Sequence, residues 1–185
     1  MRSPALALLI ALTAATSLSM PAGADQRDRR LDTLFADLQS ADAADAARIQ
    51  NRIWEVWHES GTEIVNLLLL DAQEAMQLGL VEQAEKQYDA AIDLAPDFAE
   101  AWNRRATLRF MRENYVGSIE DIQKVLELEP RHFGALSGLG LIYDRLDEEE
   151  AALQAFREAL MINPHLSDIR QRAEAIEKSI RDREI

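Results

Sequence analysis

Cysteine is absent from all 185 residues, which removes disulfides, thiolate metal sites, thiol nucleophiles and cysteine-linked lipid anchors. Glycine and proline are scarce, at 7 and 5 residues, and alanine, leucine and glutamate dominate, a balance that favours helices. Basic side chains are outnumbered, 20 against 33 acidic, for a formal charge of −13. Such a surface repels phosphate backbones and anionic lipid headgroups, so neither nucleic acid nor a membrane surface is an expected partner. The acidic surplus keeps a protein soluble and would steer in a basic partner.

Catalytic patterns are missing as well. His58, His132 and His165 are far apart in sequence and form no His-x₃-His pair, and no glycine-rich phosphate loop or nucleophile elbow occurs. The run Asp147-Glu148-Glu149-Glu150 lacks the alternating ligands and turn glycine of a calcium loop; acidic residues there suit the start of a helix. The expectation is a non-enzymatic protein with no cofactor and no metal. Hydrophobic residues at 48% and charged ones at 29% are nonetheless globular composition, enough for a packed core.

What the chain does have begins with its first residues. Arg2 precedes an uncharged stretch from Ser3 to Ala24 whose apolar centre is Ala5 to Leu12, followed by Pro21 and the small residues Ala22-Gly23-Ala24. This is the three-part pattern of a secretory signal, with cleavage expected after Ala24. The apolar centre is shorter than the ~20 residues a spanning helix needs. An exported, periplasmic protein is the expectation, with no membrane span once the signal is removed.

The strongest pattern is a repeat. Pro96, Pro130 and Pro164 are each 34 residues apart and close three ungapped units, 65–98, 99–132 and 133–166. The fourth position holds Leu68, Trp102 and Leu136, large anchors on a first helix. Small residues recur at the eighth (Ala72, Ala106, Gly140) and twentieth (Ala84, Ser118, Ala152), where two antiparallel helices must approach closely. Tyr88, Ile122 and Phe156 fill the space beside that contact, and Ala91, Val125 and Ala159 face the next unit. Each proline ends a second helix. At the mid-unit turns Gly79 has its counterparts in Asn114 and Asp147, residue types that tolerate left-handed geometry.

These columns resemble the tetratricopeptide repeat, above all in Ala99 to Ala106, Leu139-Gly140-Leu141-Ile142-Tyr143 and Ala152 to Leu160. The resemblance implies an all-α solenoid of three antiparallel helix pairs. It also implies that Arg105 pairs with Asp121 on the facing helix. Ser167 to the C-terminus, with Ile169, Ala173, Ile176 and Ile180 on one stripe, reads as a polar capping helix begun by Ser167, spanning 167–185. Residues 25–64 read as a helical hairpin, either a degenerate repeat or an N-terminal cap. Its helices carry Leu31, Leu34, Phe35 and Leu38, then Ile49, Ile53, Trp54 and Trp57, and Gly61 ends the second. Trp54 and Trp57 are expected against Leu67 to Leu70.

In proteins of this kind the first helices line a concave, peptide-binding face. By position, that face comprises Asn66, Leu69, Gln73 and Met76, then Asn103, Thr107, Phe110 and Met111, then Ser137, Leu141, Asp144 and Arg145. The carboxylate clamp of chaperone-binding members falls on Leu69, Gln73, Arg104, Gly134 and Gly138 and is absent. The functional expectation is a periplasmic scaffold or assembly factor that binds a peptide of another protein. The alternative is an accessory subunit or maturation helper of an envelope enzyme complex. Oligomeric state is left open.

Overall fold

The computed structural model describes residues 28–183; the expected signal segment lies outside them. The described residues form helices α1 (Arg29–Ser40), α2 (Ala43–His58), α3 (Glu63–Gln77), α4 (Val81–Leu94), α5 (Ala99–Met111), α6 (Tyr115–Leu128), α7 (Phe133–Arg145), α8 (Glu149–Ile162) and α9 (Ser167–Arg183). Among them no strand occurs, and no helix is long and apolar enough to cross a membrane. Helices α3/α4, α5/α6 and α7/α8 pair within units, each unit packs on the next, and α9 closes the array against α8.

The repeat columns do what their sizes dictate. Ala72, Ala84, Ala106, Ser118 and Ala152 are buried at the intra-unit contacts, as are Tyr88, Ile122 and Phe156 beside them and Ala91, Val125 and Ala159 between units. The Ser118 hydroxyl also donates to the Ala106 carbonyl at 2.8 Å, joining the two helices of its unit. A Cβ on Gly140 would run into the Phe156 ring, so the third unit needs glycine there. The second helices stop at Leu94, Leu128 and Ile162, two residues before each proline. Proline disfavours helical geometry in the residue before it, and Glu129 and Asn163 are extended accordingly.

Three local expectations are corrected. The left-handed residue of the mid-unit turn is Gly79, Glu113 and Asp147, with φ of 72°, 59° and 58°. In the second unit it is therefore Glu113 and not Asn114, which instead caps α6 by accepting the Gly117 N–H at 3.1 Å. Ser167 lies inside α9, its hydroxyl turned to the Asp168 carboxylate, so it does not supply the cap. Finally, Trp54 and Trp57 do not meet the leucines of α3. Trp57 stacks on His132 with ring centroids 4.1 Å apart, and Trp54 meets His132 and Phe133 edge-on.

That last difference relocates the hairpin. Its apolar residues cluster with Phe133, Ile162 and Leu166. Gln39 donates to the carbonyls of Met161 and Ile162, His165 Nε2 meets the Leu38 carbonyl at 3.0 Å, and Arg131 pairs with Asp32 at 2.8 Å. The hairpin thus lies along the edge formed by the inter-repeat turns. Aromatic and cationic groups are the reason: Phe35, Trp54 and Trp57 find Phe133, His132 and Arg131 there, with Arg131 4.6 Å from the centre of the Phe35 ring. Helix α3 has no aromatic and no basic side chain to offer them.

Candidate functional site

Between α5 and α7 the first-helix face opens into an apolar slot of about 350 Å³. Its walls are Phe110, Met111 and Leu141, and its floor is Ala106, Ser118, Ile122, Ala135 and Ile142. Asn103, Thr107 and Ser137 form a neutral polar rim, and Gly134 and Gly138 line it on the α7 side. Gly138 leaves the α7 side of the slot bare, since it has no side chain to set against Ile122. Glycine inside a helix costs about 1 kcal/mol relative to alanine. A Cβ on Gly138 would meet only Ile122 Cδ1, at 3.7 Å, so packing does not require that glycine. Gly134 is different: a Cβ would lie 2.7 Å from the Trp54 ring, so the hairpin seats against bare backbone. A second depression of about 440 Å³, between α2, α7 and the start of α9, shares Gly134 and Ser137 with the slot.

The residues expected on the groove separate into two groups. Asn103, Thr107, Phe110, Met111, Ser137 and Leu141 converge on the slot. Met111 is 65% exposed, whereas Phe110 is half-buried and leans on Tyr115 with centroids 5.9 Å apart. Gln73 is exposed and accepts a hydrogen bond from Arg104 at 3.3 Å, Met76 is half-buried against the first unit's core, and Arg145 is exposed; none of them lines the slot. Leu69 departs from its expected place. It is buried in the core of the first unit, where α3 presents Val65, Leu69, Ala72 and Ala75 inward. A leucine at that phase is drawn into the core rather than left on the groove.

Among the described residues no Lys or Arg lines the slot. Arg104 is engaged by Glu100 at 2.9 Å, while Arg105 reaches Asp121 at 2.7 Å and Asp89 at 2.6 Å, so its expected partner is in place. Arg109, standing where a tyrosine is usual, adds a 3.0 Å contact to Asp121. Where the clamp residues of chaperone-binding relatives would fall, Gly134 and Gly138 line the slot instead.

Sequence reading missed Glu100. Buried at the start of α5, its carboxylate meets His58 Nε2 at 3.0 Å, Asn103 Nδ2 at 2.9 Å and Arg104 Nε at 2.9 Å, with His132 Nε2 3.6 Å away. His132 Nδ1 accepts the Ala135 N–H and caps α7, which turns Nε2 towards the carboxylate. Burial pushes the Glu100 carboxyl up, but the N–H groups of His132 and His58 and the Arg104 guanidinium outweigh it and hold the group well below the usual carboxylate range. Glu100 therefore ties the end of α2 to α5 and, through Asn103, orients one side of the slot rim. Among the described residues no group of three or more His, Cys, Asp or Glu is arranged to hold a metal.

Paired helices with a recurring small-residue contact, stacked in register and open along the first-helix face, define a helical-repeat solenoid with a groove. The chain belongs to the tetratricopeptide repeat family: tetratricopeptide repeat models match residues 69–129 and 134–166. A TPR repeat-containing protein of Rhizobium etli is 43% identical over 137 residues, 74% of this chain and 67% of the relative. Tetratricopeptide repeat protein 36 of Homo sapiens is 31% identical over 98 residues, 52% of each chain. Among solved structures, the Sgt2 TPR domain from Aspergillus fumigatus superposes with a TM-score of 0.61 at 19% identity, covering 66% of this chain and 83% of that one. The first TPR domain of Spaghetti (RPAP3), bound to an HSP90 peptide, gives 0.60 at 17%, covering 64% and 94%. At those identities the likeness is one of fold.

Proposed function

We propose that this chain is a non-enzymatic interaction scaffold that holds a peptide segment of another protein across the α5–α7 groove, and that it works in the bacterial periplasm after export through residues 1–24. The slot carries this reading. Its apolar walls and neutral hydrogen-bonding rim suit a bulky apolar side chain flanked by extended backbone. Its volume of about 350 Å³ is at the small end of ligand pockets, sized for a side chain rather than a cofactor. With Arg104 engaged by Glu100 and glycines at two clamp positions, the recognised feature is an internal apolar residue and not a terminal carboxylate. The structural neighbour that holds an HSP90 peptide supports peptide binding by this fold, and the chain's own signal-like segment supports export.

The test is photo-crosslinking in cells from Met111, with Gly138→Leu as the partner variant. A Cβ at 138 makes only ordinary contact with Ile122 Cδ1, so leucine there is expected to enter the slot with the fold kept, a point checked by circular dichroism, while capture by Met111 is lost. Unchanged capture in Gly138→Leu would sink the proposal. Mass spectrometry of the captured protein tells whether the partner is an envelope enzyme, and osmotic-shock fractionation tests the compartment.

A further inference from the structure

The end of the solenoid that the hairpin leaves uncovered has the anatomy of a joint. Ile64 and Leu67 on α3 correspond, one repeat on, to Phe98 and Ala101, and one more to His132 and Ala135. Phe98, Ala101 and Ala135 are buried against the preceding unit, at 4%, 0% and 1% exposure, while His132, at 0%, is covered by Trp57 of the hairpin. Ile64 and Leu67 are 58% and 52% exposed, and Leu70 beside them is 60% exposed. Leu70 corresponds to Arg104, which reaches back to Gln73 of the unit in front. The α3 front is thus a repeat interface with nothing described in the preceding place.

Its charges say what would fit. At the joint between the first two units, α5 is the basic side and α4 the acidic side. Arg105 meets Asp89 at 2.6 Å, Arg109 meets Glu85 at 3.5 Å and Arg112 meets Glu85 at 2.8 Å. The α3 residue in the register of Arg105 is Asp71, and Glu74, also exposed, follows one turn on. The sign is reversed. A second copy presenting this face would set Asp71 and Glu74 against their own counterparts, on a chain already at −13.

We propose that the front of α3 docks an amphipathic helix of a partner protein, seated where a preceding second helix would lie, with Arg or Lys beside its apolar stripe opposite Asp71. This surface is separate from the α5–α7 slot and stands or falls without it. Apolar burial by Ile64, Leu67 and Leu70 supplies attraction, and Asp71 and Glu74 choose the sign of the partner.

The chain supplies its own probe. A fluorescent peptide copying residues 81–95, the helix that fills this place before α5, is made with Asp89→Arg and held helical by a lactam between Glu82 and Lys86. Its anisotropy is read against the full chain. The Arg peptide is expected to bind about fivefold more tightly than its Asp89 parent. Leu67→Glu should abolish binding, and Asp71→Arg should invert the preference so that the parent peptide binds better. Absence of binding, binding indifferent to Leu67→Glu, or a preference that Asp71→Arg leaves unchanged would each overturn the proposal. So would a doubled mass in sedimentation equilibrium that Leu67→Glu abolishes, because the occupant would then be a second copy.

Discussion

Two kinds of joint hold this molecule together, and they are built from different chemistry. Within the repeats, helices meet over alanine, serine or glycine, with one large apolar residue beside the contact. Between the hairpin and the array, Trp57 stacks on His132, Arg131 covers Phe35 and the buried Glu100 collects His58, Asn103 and Arg104. The first kind is spread over every unit and tolerates variation from one to the next. The second occurs once and depends on a few polar groups being satisfied in a buried place. A repeat joint should therefore fail with the array, whereas the hairpin joint should fail alone.

The largest effect should come from Phe156→Ala, which empties the centre of the third unit. A loss of about 4 kcal/mol is expected, read by urea denaturation, with hairpin and array unfolding together because the hairpin's seat on 131–166 is lost. Trp57→Ala should cost about 3 kcal/mol, but locally. In hydrogen exchange the amides of α1 and α2 should become fast while those of α5 to α8 keep their protection. Simultaneous loss in both regions would show that the two joints are one.

Glu100→Gln should cost about 2 kcal/mol, since it discharges a buried, paired carboxylate. The pH dependence has a definite sign. Glu100 is held below its ordinary value of 4.5 in the folded state. The stability it contributes is complete above that value and fades as pH falls below it, towards the lower folded-state value. Thermal melts between neutrality and acid should thus decline more steeply for the wild type than for Glu100→Gln. Parallel curves would remove Glu100 from the account of the joint. The smallest change is a gain: Glu113→Gly relieves a left-handed residue at φ 59° and should stabilise by about 0.5–1 kcal/mol, seen as a raised Tm with the hairpin unaffected.

The same division explains what the sequence made legible. The repeat core could be read because each contact recurs at 34 residues, so Ala72, Ala106 and Gly140 vouch for one another. Arg105 and Asp121 were legible as a pair for the same family-wide reason. The hairpin's two helices and their apolar faces followed from periodicity, but its seat did not, because periodicity says which face is buried and not against what. Trp57 on His132 joins residues 75 apart with no second instance to reveal it. Half of the residues expected on the groove line the slot, namely Asn103, Thr107, Phe110, Met111, Ser137 and Leu141, while Leu69 was lost to the core by its helix phase. The slot left one trace in the sequence, the unfavourable cluster Gly134, Gly138 and Gly140 within a single helix. Only Gly140 is accounted for by the contact inside its own unit.

The hairpin's seat also imposes an order of events. Its ties span 99 to 127 residues of sequence, Asp32 to Arg131, Leu38 to His165 and Gln39 to Ile162. On a ribosome adding about 10 residues per second, the aromatic face of α1 and α2 emerges roughly ten seconds before residues 131–166 exist to receive it. The repeats, whose contacts are local, can form without waiting for distant residues. The first helices made are therefore the last to be housed, and until then Phe35, Trp54 and Trp57 have no aromatic seat.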